Sequence, residues 1–250
     1  MISNKQVDII IPVYREHENI THTLHAIGED LQTPYQVTLV YDADDDPTLP
    51  VARGAVEDLR LPVNLIKNQY GCGVLNAIKT GFAATQGEYV VVMMADLSDP
   101  PAVINTMVAS AERERLDVVC ASRYMHGGSQ KGGPFLKRSL SRAAGISLYH
   151  FAGLPTHDAT NSFKLYRRSF LNQIEIESQK GFEFGLEIVV KAYGLSKKIG
   201  ETPTTWRERT AGTSQFRFVA WLPAYLRWYL FGYGQSLKHF AKALTKKFEI

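Results

Sequence analysis

The feature that most constrains this chain is the alternation of short, near-continuous apolar runs with stretches of helical length. The runs are VDIIIPV (7–13), QVTLVY (36–41), LPVNLI (61–66), YVVVMM (89–94) and DVVCAS (117–122), with amphipathic segments at 18–31, 48–59, 72–85 and 100–115 between them. Runs rich in β-branched residues, without polar alternation, suit strands covered on both faces, as in a parallel sheet. Their alternation with helices predicts a right-handed βαβ series, and so an α/β fold with a mostly parallel sheet flanked by helices. In such sheets ligands sit beyond the carboxyl ends of the strands.

Those ends are polar five times in succession. They read Pro12-Val13-Tyr14-Arg15-Glu16, Asp42-Ala43-Asp44-Asp45-Asp46-Pro47, Gly71-Cys72-Gly73-Val74-Leu75-Asn76, Ala95-Asp96-Leu97-Ser98-Asp99-Pro100-Pro101 and Ser122-Arg123-Tyr124. Any one of them is ordinary turn chemistry. Their recurrence at one edge predicts a ligand site. Past residue 130 the pattern changes to a basic, Ser-rich helix candidate (134–152) and the segment Asp158-Ala159-Thr160-Asn161-Ser162-Phe163-Lys164. A second helix candidate (181–194) carries Glu183 and Glu187, and a strand-like stretch (197–206) runs into Arg209 and Ser214.

Asp96, just past a buried strand, and Asp99 three residues on offer hard oxygens suited to Mg²⁺ or Mn²⁺, an ion completed by substrate phosphates. Asp99 has a second reading, as the cap of a helix that starts at Pro100 or Pro101. Within the acidic cluster, Asp42 lies nearest the strand end and is the candidate for nucleoside recognition, while Asp45 and Asp46 read as a solvated turn. Arg123, Arg138 and Arg209 stand near element ends beside Ser or Gly, where guanidinium groups could take phosphate oxygens bidentately or serve as surface ion-pair partners. Competing motifs are missing. There is no P-loop, no complete dinucleotide fingerprint in Gly71-x-Gly73-x-x-Asn76, no zinc-protease spacing at His17-Glu18…His22, and no nucleophile elbow.

Composition narrows the class further. With 250 residues, 45% of them hydrophobic, the chain can bury a full core. Two cysteines in no metal or redox spacing, and a polar stretch from Met1 to Gln6, lead us to expect a cytoplasmic protein without a disulfide framework or a secretory leader. Residues 216–250 hold six Lys or Arg against one Glu, although the whole chain is only +3. That distribution argues against a nucleic-acid partner, whose footprint would spread over the main body. Residues 216–233 also hold eight aromatics. The 216–250 tail therefore reads as an amphipathic helix starting near Pro223, with Leu222, Leu226, Tyr229, Leu237, Phe240 and Leu244 opposite its cations. It would lie on a membrane surface, on the chain's own core, or against a second copy in a homo-oligomer. Arg217 and Arg227 leave an apolar run of only nine residues between them, too short to span a bilayer.

The ordered set P-x-Y-x-E (12–16), the Asp cluster, G-x-G-x-x-N-A (71–77), A-D-L-S-D-P-P (95–101), S-R-Y (122–124), D-x-T-x-x-F-K (158–164) and E-x-P-x-x-W-x-x-R-x-x-G-x-S (201–214) closely resembles family 2 glycosyltransferases, and within them the dolichol- or polyprenyl-phosphate mannosyltransferase group. The resemblance covers about residues 7–216. It implies a GT-A fold over 1–215 and inverting transfer of a sugar from a nucleotide-diphosphate (GDP- or UDP-linked) donor to a polyprenyl phosphate at the cytoplasmic membrane face. It implies that Pro12, Tyr14, Glu16, Asp42, Gly71, Asn76, Ala95 and Asp96 line the donor nucleotide, and that Asp96, Ser98 and Asp99 surround a Mg²⁺ or Mn²⁺ ion. Arg123, Arg138, Ser141, Glu187, Arg209 and Ser214 would serve phosphates and acceptor, with Asp158 supporting Glu187. Asp96, Arg123 and Arg209 would carry catalysis. Met94 stands at the first acid of the family's D-x-D, and Gln215 at a usual Lys. Two further readings stay open: transfer to a saccharide or lipid hydroxyl, with Asp99 or Glu187 as base, and a non-catalytic sugar-nucleotide-binding protein on the same fold.

Overall fold

In the computed structural model, which describes residues 6–209 and 218–248, the first apolar run forms β1 (Val7–Val13), with every residue but Pro12 buried. It is followed by α1 (Ile20–Asp30), β2 (Tyr35–Tyr41), α2 (Thr48–Leu59), β3 (Val63–Lys67), α3 (Val74–Ala84), β4 (Tyr89–Val92), α4 (Val103–Glu114) and β5 (Val118–Ser122). All five expected strands and all four helices between them are present. β1 pairs in parallel with β2 on one side and with β4 on the other, and β2 pairs in parallel with β3. The chain thus walks one way from β1 through β2 to β3, then crosses back to place β4 on the far side of β1. The carboxyl ends of β1 and β4 are where the order reverses, and a crevice opens there by construction.

The second half departs from the expected series. After β5 come β6 (Ser129–Lys131), α5 (Phe135–Ala152), β7 (Lys164–Arg167), α6 (Arg168–Leu171), α7 (Phe184–Gly194), β8 (Ile199–Pro203), β9 (Thr205–Arg207) and α8 (Phe218–Phe248). The sheet order is β3-β2-β1-β4-β7-β5-β8, and β7 runs antiparallel to both of its neighbours. Nothing in the four residues KLYR announces a central strand, because a run this short carries no period. The strand-like stretch 197–206 divides into β8, parallel to β5, and β9, which leaves the sheet to pair with β6.

Two apolar layers sandwich the sheet. One, beneath α1, α2 and α4, is built on Ile9, Ile11, Leu24, Leu39 and Met107, and the other, beneath α3, α5 and α7, on Ile10, Ile78, Val90, Leu148 and Val189. α5 approaches the loop after it so closely that a Cβ on Gly145 would stand 2.1 Å from the His157 carbonyl oxygen, so no other residue fits there without a shift.

α8 packs on α5 and α7. Trp228 is buried and donates through Nε1 to Ser178 Oγ at 3.1 Å, and the Tyr229 hydroxyl meets Ser147 Oγ at 2.9 Å. Its described part begins at Phe218 and holds Pro223 inside it, rather than starting near Pro223. Tyr229, expected beside the leucines, faces the protein instead. Leu222, Leu226, Leu230, Leu237 and Phe240 stay exposed. Among the described residues no helix is long and apolar enough to cross a membrane.

Candidate active site at the strand ends

The crevice is built from loops that brace one another. After β1, Arg15 adopts a left-handed backbone (φ 54°) and its N–H donates to Asp46 Oδ2 at 2.9 Å, while the Glu16 N–H donates to Thr48 Oγ1 at 2.8 Å. Asp46 also accepts the Thr48 N–H at 2.8 Å. It is therefore a buried tie between two loops and not the solvated turn residue its sequence neighbourhood indicated. Burial opposes its ionisation, yet the hydrogen bonds from Thr48 and Arg15 hold its carboxyl below the usual aspartate range. After β2, Asp42 accepts from Asn68 Nδ2 at 2.8 Å and from the Gly73 N–H at 2.9 Å, which draws the Gly71–Gly73 turn against the strand end. Asn76 caps back to the Cys72 carbonyl at 3.4 Å, and Tyr14 is exposed at the mouth. Pro12 is half-buried at the end of β1, and the buried Ala95 offers its carbonyl to Thr23 Oγ1 at 2.6 Å.

Asp96 and Glu16 face each other across the switch point. Asp96 Oδ1 accepts the Ser98 N–H at 3.0 Å, and Asp96 Oδ2 accepts from Arg209 Nε at 3.0 Å and Nη2 at 2.8 Å. The same Nη2 reaches Glu16 Oε1 at 3.0 Å, and Glu16 Oε2 accepts from Asn19 at 2.7 Å. Leu97, between Asp96 and Ser98, is left-handed like Arg15 (φ 54° and 52° respectively for Arg15 and Leu97). A bent residue thus adjoins each carboxylate, a conformation that costs of order 1–3 kcal/mol and persists only where surrounding contacts impose it. Arg209 is delivered by β9: the Arg207 N–H donates to the Ser98 carbonyl at 2.8 Å and the Glu208 N–H to Lys131 at 3.0 Å. Burial works against the Arg209 charge, but Asp96 and Glu16 raise its pKa above the ordinary guanidinium value.

Beside this pocket lies a second cation cluster of different character. Arg123 donates through Nε and Nη2 to the buried Asp158 at 2.6 and 2.9 Å, and through Nη2 to Ser141 Oγ at 3.1 Å and Thr160 Oγ1 at 3.2 Å. Lys164, wholly buried on β7, donates to the carbonyls of Ala159 and Asn161 and so clamps the loop that carries Asp158. Burial disfavours the Arg123 charge, but Asp158 more than offsets it and keeps the group firmly protonated. Arg138 is half-buried on the first turns of α5, its guanidinium 5.8 Å from the Phe135 ring centre. Lys137, beside it, is a site residue that the sequence reading did not single out. Burial and the nearby Arg123 charge bring its pKa down to about 8, with Asp96 and Glu208 pulling the other way. The signal available in the sequence was its position one turn before Ser141.

Three expectations need correction. Asp99 is not turned toward Asp96: its Oδ1 accepts from Thr204 Oγ1 at 3.1 Å and Asn161 Nδ2 at 3.4 Å, joining the residue after β8 to the loop between α5 and β7. It does not cap α4 either, whose N-cap is Ala102 with no side-chain cap. Burial pushes the Asp99 carboxyl up to about 6, against the pull of Arg123. Glu187, fully buried on α7, accepts the N–H groups of Glu177 and Ser178 at 2.6 and 2.9 Å and pairs with Lys191 at 2.8 Å, so its carboxylate is engaged in fastening the 177–178 loop. Asp158 supports Arg123, not Glu187. Ser214 and Gln215 lie outside the described residues.

Residues 8–175 match the sequence model of Glycosyl transferase family 2. The chain belongs to this family. This glycosyl transferase family 2 chain is 31% identical over 217 residues to the dolichol-phosphate mannosyltransferase of Pyrococcus furiosus, an alignment covering 85% of this chain and 59% of the relative. It is 24% identical to the dodecaprenyl-phosphate galacturonate synthase of Rhizobium johnstonii, over 86% of this chain and 63% of that one. The chain therefore spans about six-tenths of the length of these curated relatives. Among solved structures, the glucosyl-3-phosphoglycerate synthase of Mycobacterium tuberculosis with Mn²⁺, UDP-glucose and phosphoglyceric acid superposes with a TM-score of 0.69 at 14% identity, over 92% of this chain and 80% of that one. A likeness at that identity carries the fold, which is GT-A.

Proposed function

We propose that the protein transfers a sugar, with inversion, from a nucleoside-diphosphate sugar to a polyprenyl phosphate at the cytoplasmic face of a membrane. The observation that carries this reading is the convergence at one sheet edge of two arginine–carboxylate clusters, one fixed and one open to exchange. Asp96, Glu16 and Arg209 stand at the switch point, with Arg123, Ser141 and Lys137 beside them. The relatives named above, a dolichol-phosphate and a dodecaprenyl-phosphate sugar transferase, support the acceptor class.

The residues suit a divalent ion. Asp96, with Glu16 across one cation position, is an oxygen donor set of the kind Mg²⁺ and Mn²⁺ select, whereas the Met94 thioether is not. Such an ion, held by Asp96 and the diphosphate, supplies charge neutralisation for the leaving group. Asp42 and the Gly71–Gly73 turn would seat the nucleoside, and Tyr14 would cover it. Arg209 is placed to follow the diphosphate, and Lys137 to bring positive charge between donor and acceptor phosphates. An acceptor phosphate is largely ionised at neutral pH, so it attacks without a general base.

Membrane contact is served by α8 and α5. Leu222, Leu226, Leu230, Leu237 and Phe240 of α8 are exposed, as are Phe135, Leu136 and Leu140 of α5, and α8 also exposes Arg227, Lys238 and Lys242. Such a face suits an anionic bilayer surface. It would also suit a second copy, and vesicle flotation set against sedimentation of the free protein separates the two.

Purified protein incubated with GDP- or UDP-sugars, Mn²⁺ and polyprenyl phosphate in vesicles should form a sugar-phospholipid. Transfer to a phosphate-free hydroxyl acceptor, with none to polyprenyl phosphate, would overturn the reading. That second reaction would need a carboxylate base, whereas Asp99 is tied to Thr204 and Asn161, and Glu187 to the Glu177 and Ser178 N–H groups.

A further inference from the structure

Two acids share one guanidinium at the switch point, and the sharing has consequences for what else can enter. Asp96 Oδ2 accepts two N–H bonds, both from Arg209, which fills the lone pairs of that oxygen. Asp96 Oδ1 is taken by the Ser98 N–H. Glu16 Oε1 is engaged by the same Arg209 nitrogen. The two carboxylates are therefore no farther apart than bonds to a single nitrogen allow, and like charges held so close need a cation between them. In this structure that cation is part of the chain.

We propose that Arg209 is the resident counter-ion of the Glu16–Asp96 pair and excludes Mg²⁺ or Mn²⁺ from Asp96 until a nucleoside diphosphate draws the guanidinium away. The proposal rests on the reading above that Asp96 is a ligand of a divalent ion. Three observations carry it. First, the positions coincide: an ion bonded to Asp96 Oδ2 would need the lone pairs that Arg209 holds. Second, the two cations repel at the same pair of acids, so occupancy is exclusive and not additive. Third, Arg209 can be exchanged. Its backbone is anchored just before it by the Arg207–Ser98 and Glu208–Lys131 hydrogen bonds, while its side chain, 19% exposed, meets Asp96 and Glu16 where solvent and an incoming phosphate can reach it. A diphosphate offers a guanidinium more acceptor oxygens and more charge than one carboxylate, and matches its bidentate geometry. Donor and divalent ion then bind cooperatively, because the first removes the competitor of the second.

The test measures Mn²⁺ binding by the electron paramagnetic resonance of free Mn²⁺, without any turnover. In the absence of nucleotide, Arg209→Gln should bind Mn²⁺ about tenfold more tightly than the unaltered protein. Arg209→Lys, which keeps the charge but not the two-pronged contact, should fall between them. UDP or GDP should tighten Mn²⁺ in the unaltered protein and do so much less in Arg209→Gln. Lys137→Gln removes a neighbouring charge that is not bonded to Asp96, and should change affinity by no more than about threefold. If Arg209→Gln leaves nucleotide-free affinity within twofold, or Lys137→Gln raises it as much, the exclusion is wrong while the divalent-ion reading stands. If neither form binds Mn²⁺ even with nucleotide, both fall together. Thermal melting of each variant confirms that it is folded.

Discussion

Two arginine–carboxylate clusters lie side by side at the strand ends, and they are built from the same chemistry to different effect. In the Arg123 cluster, Asp158 is completely buried, the guanidinium is 9% exposed, and Ser141, Thr160 and the Lys164-clamped loop surround the pair. In the Arg209 cluster, the arginine is 19% exposed, its partners Glu16 and Asp96 are 15% and 10% exposed, and the arginine is presented by a two-stranded ribbon outside the main sheet. Breaking the first pair would strand a charge in a medium that cannot solvate it. Breaking the second hands the two acids to water or another cation, and the guanidinium to water or an incoming phosphate. Burial, more than charge, therefore separates a fixed scaffold from an exchangeable site.

This contrast can be broken experimentally. Asp158→Ala should have the largest effect, a loss of about 3–5 kcal/mol in urea unfolding, because it leaves Arg123 buried and unpaired. Asp96→Asn should leave unfolding almost unchanged but lower turnover about 100-fold or more, measured with nucleotide sugar and polyprenyl phosphate. Turnover within a few-fold would remove Asp96 from the chemistry. Glu187→Gln belongs with the fixed cluster. It should destabilise the protein by about 1–3 kcal/mol and leave the KM for the donor unaltered. Asp46→Asn sharpens the comparison through pH. The native carboxyl is held below its unfolded range, so its contribution is present at neutral pH and is lost as the pH falls through the folded value. The variant should be less stable by about 1–2 kcal/mol at pH 7, and the gap should close on acidification. Arg209→Gln should have the smallest effect on stability, under about 1 kcal/mol by thermal melting.

Much of the first half was legible in advance, because five β-branched runs with helices between them admit few arrangements and fix which loops share an edge. That rule puts Asp42, Asp96 and Glu16 just past strand ends, which is where they lie. Asp46 was misread because a loop acid that accepts from a backbone N–H 31 residues away looks the same in sequence as a solvated one. Asp99 was misread because its partners, Asn161 and Thr204, arrive from elements far along the chain. Glu187 was placed near the acceptor on resemblance, and its contacts with the 177–178 backbone left no trace in its own helix. The aromatic, basic tail was seen to be amphipathic, but the Trp228 and Tyr229 contacts that dock it are decided by α5 and α7.

By itself, then, the order of residues determined the parallel sheet through β5, the polar edge, the family and the acids at the strand tips, all of which depend on local period and on position relative to a strand. Only the tertiary structure decided the antiparallel β7, the pairing of Arg123 with Asp158, and the closure of Arg209 onto Asp96 and Glu16. The reason is physical: hydrophobic periodicity is written in neighbours, whereas the partner of a buried charge is chosen by which distant loop the folded core brings within reach.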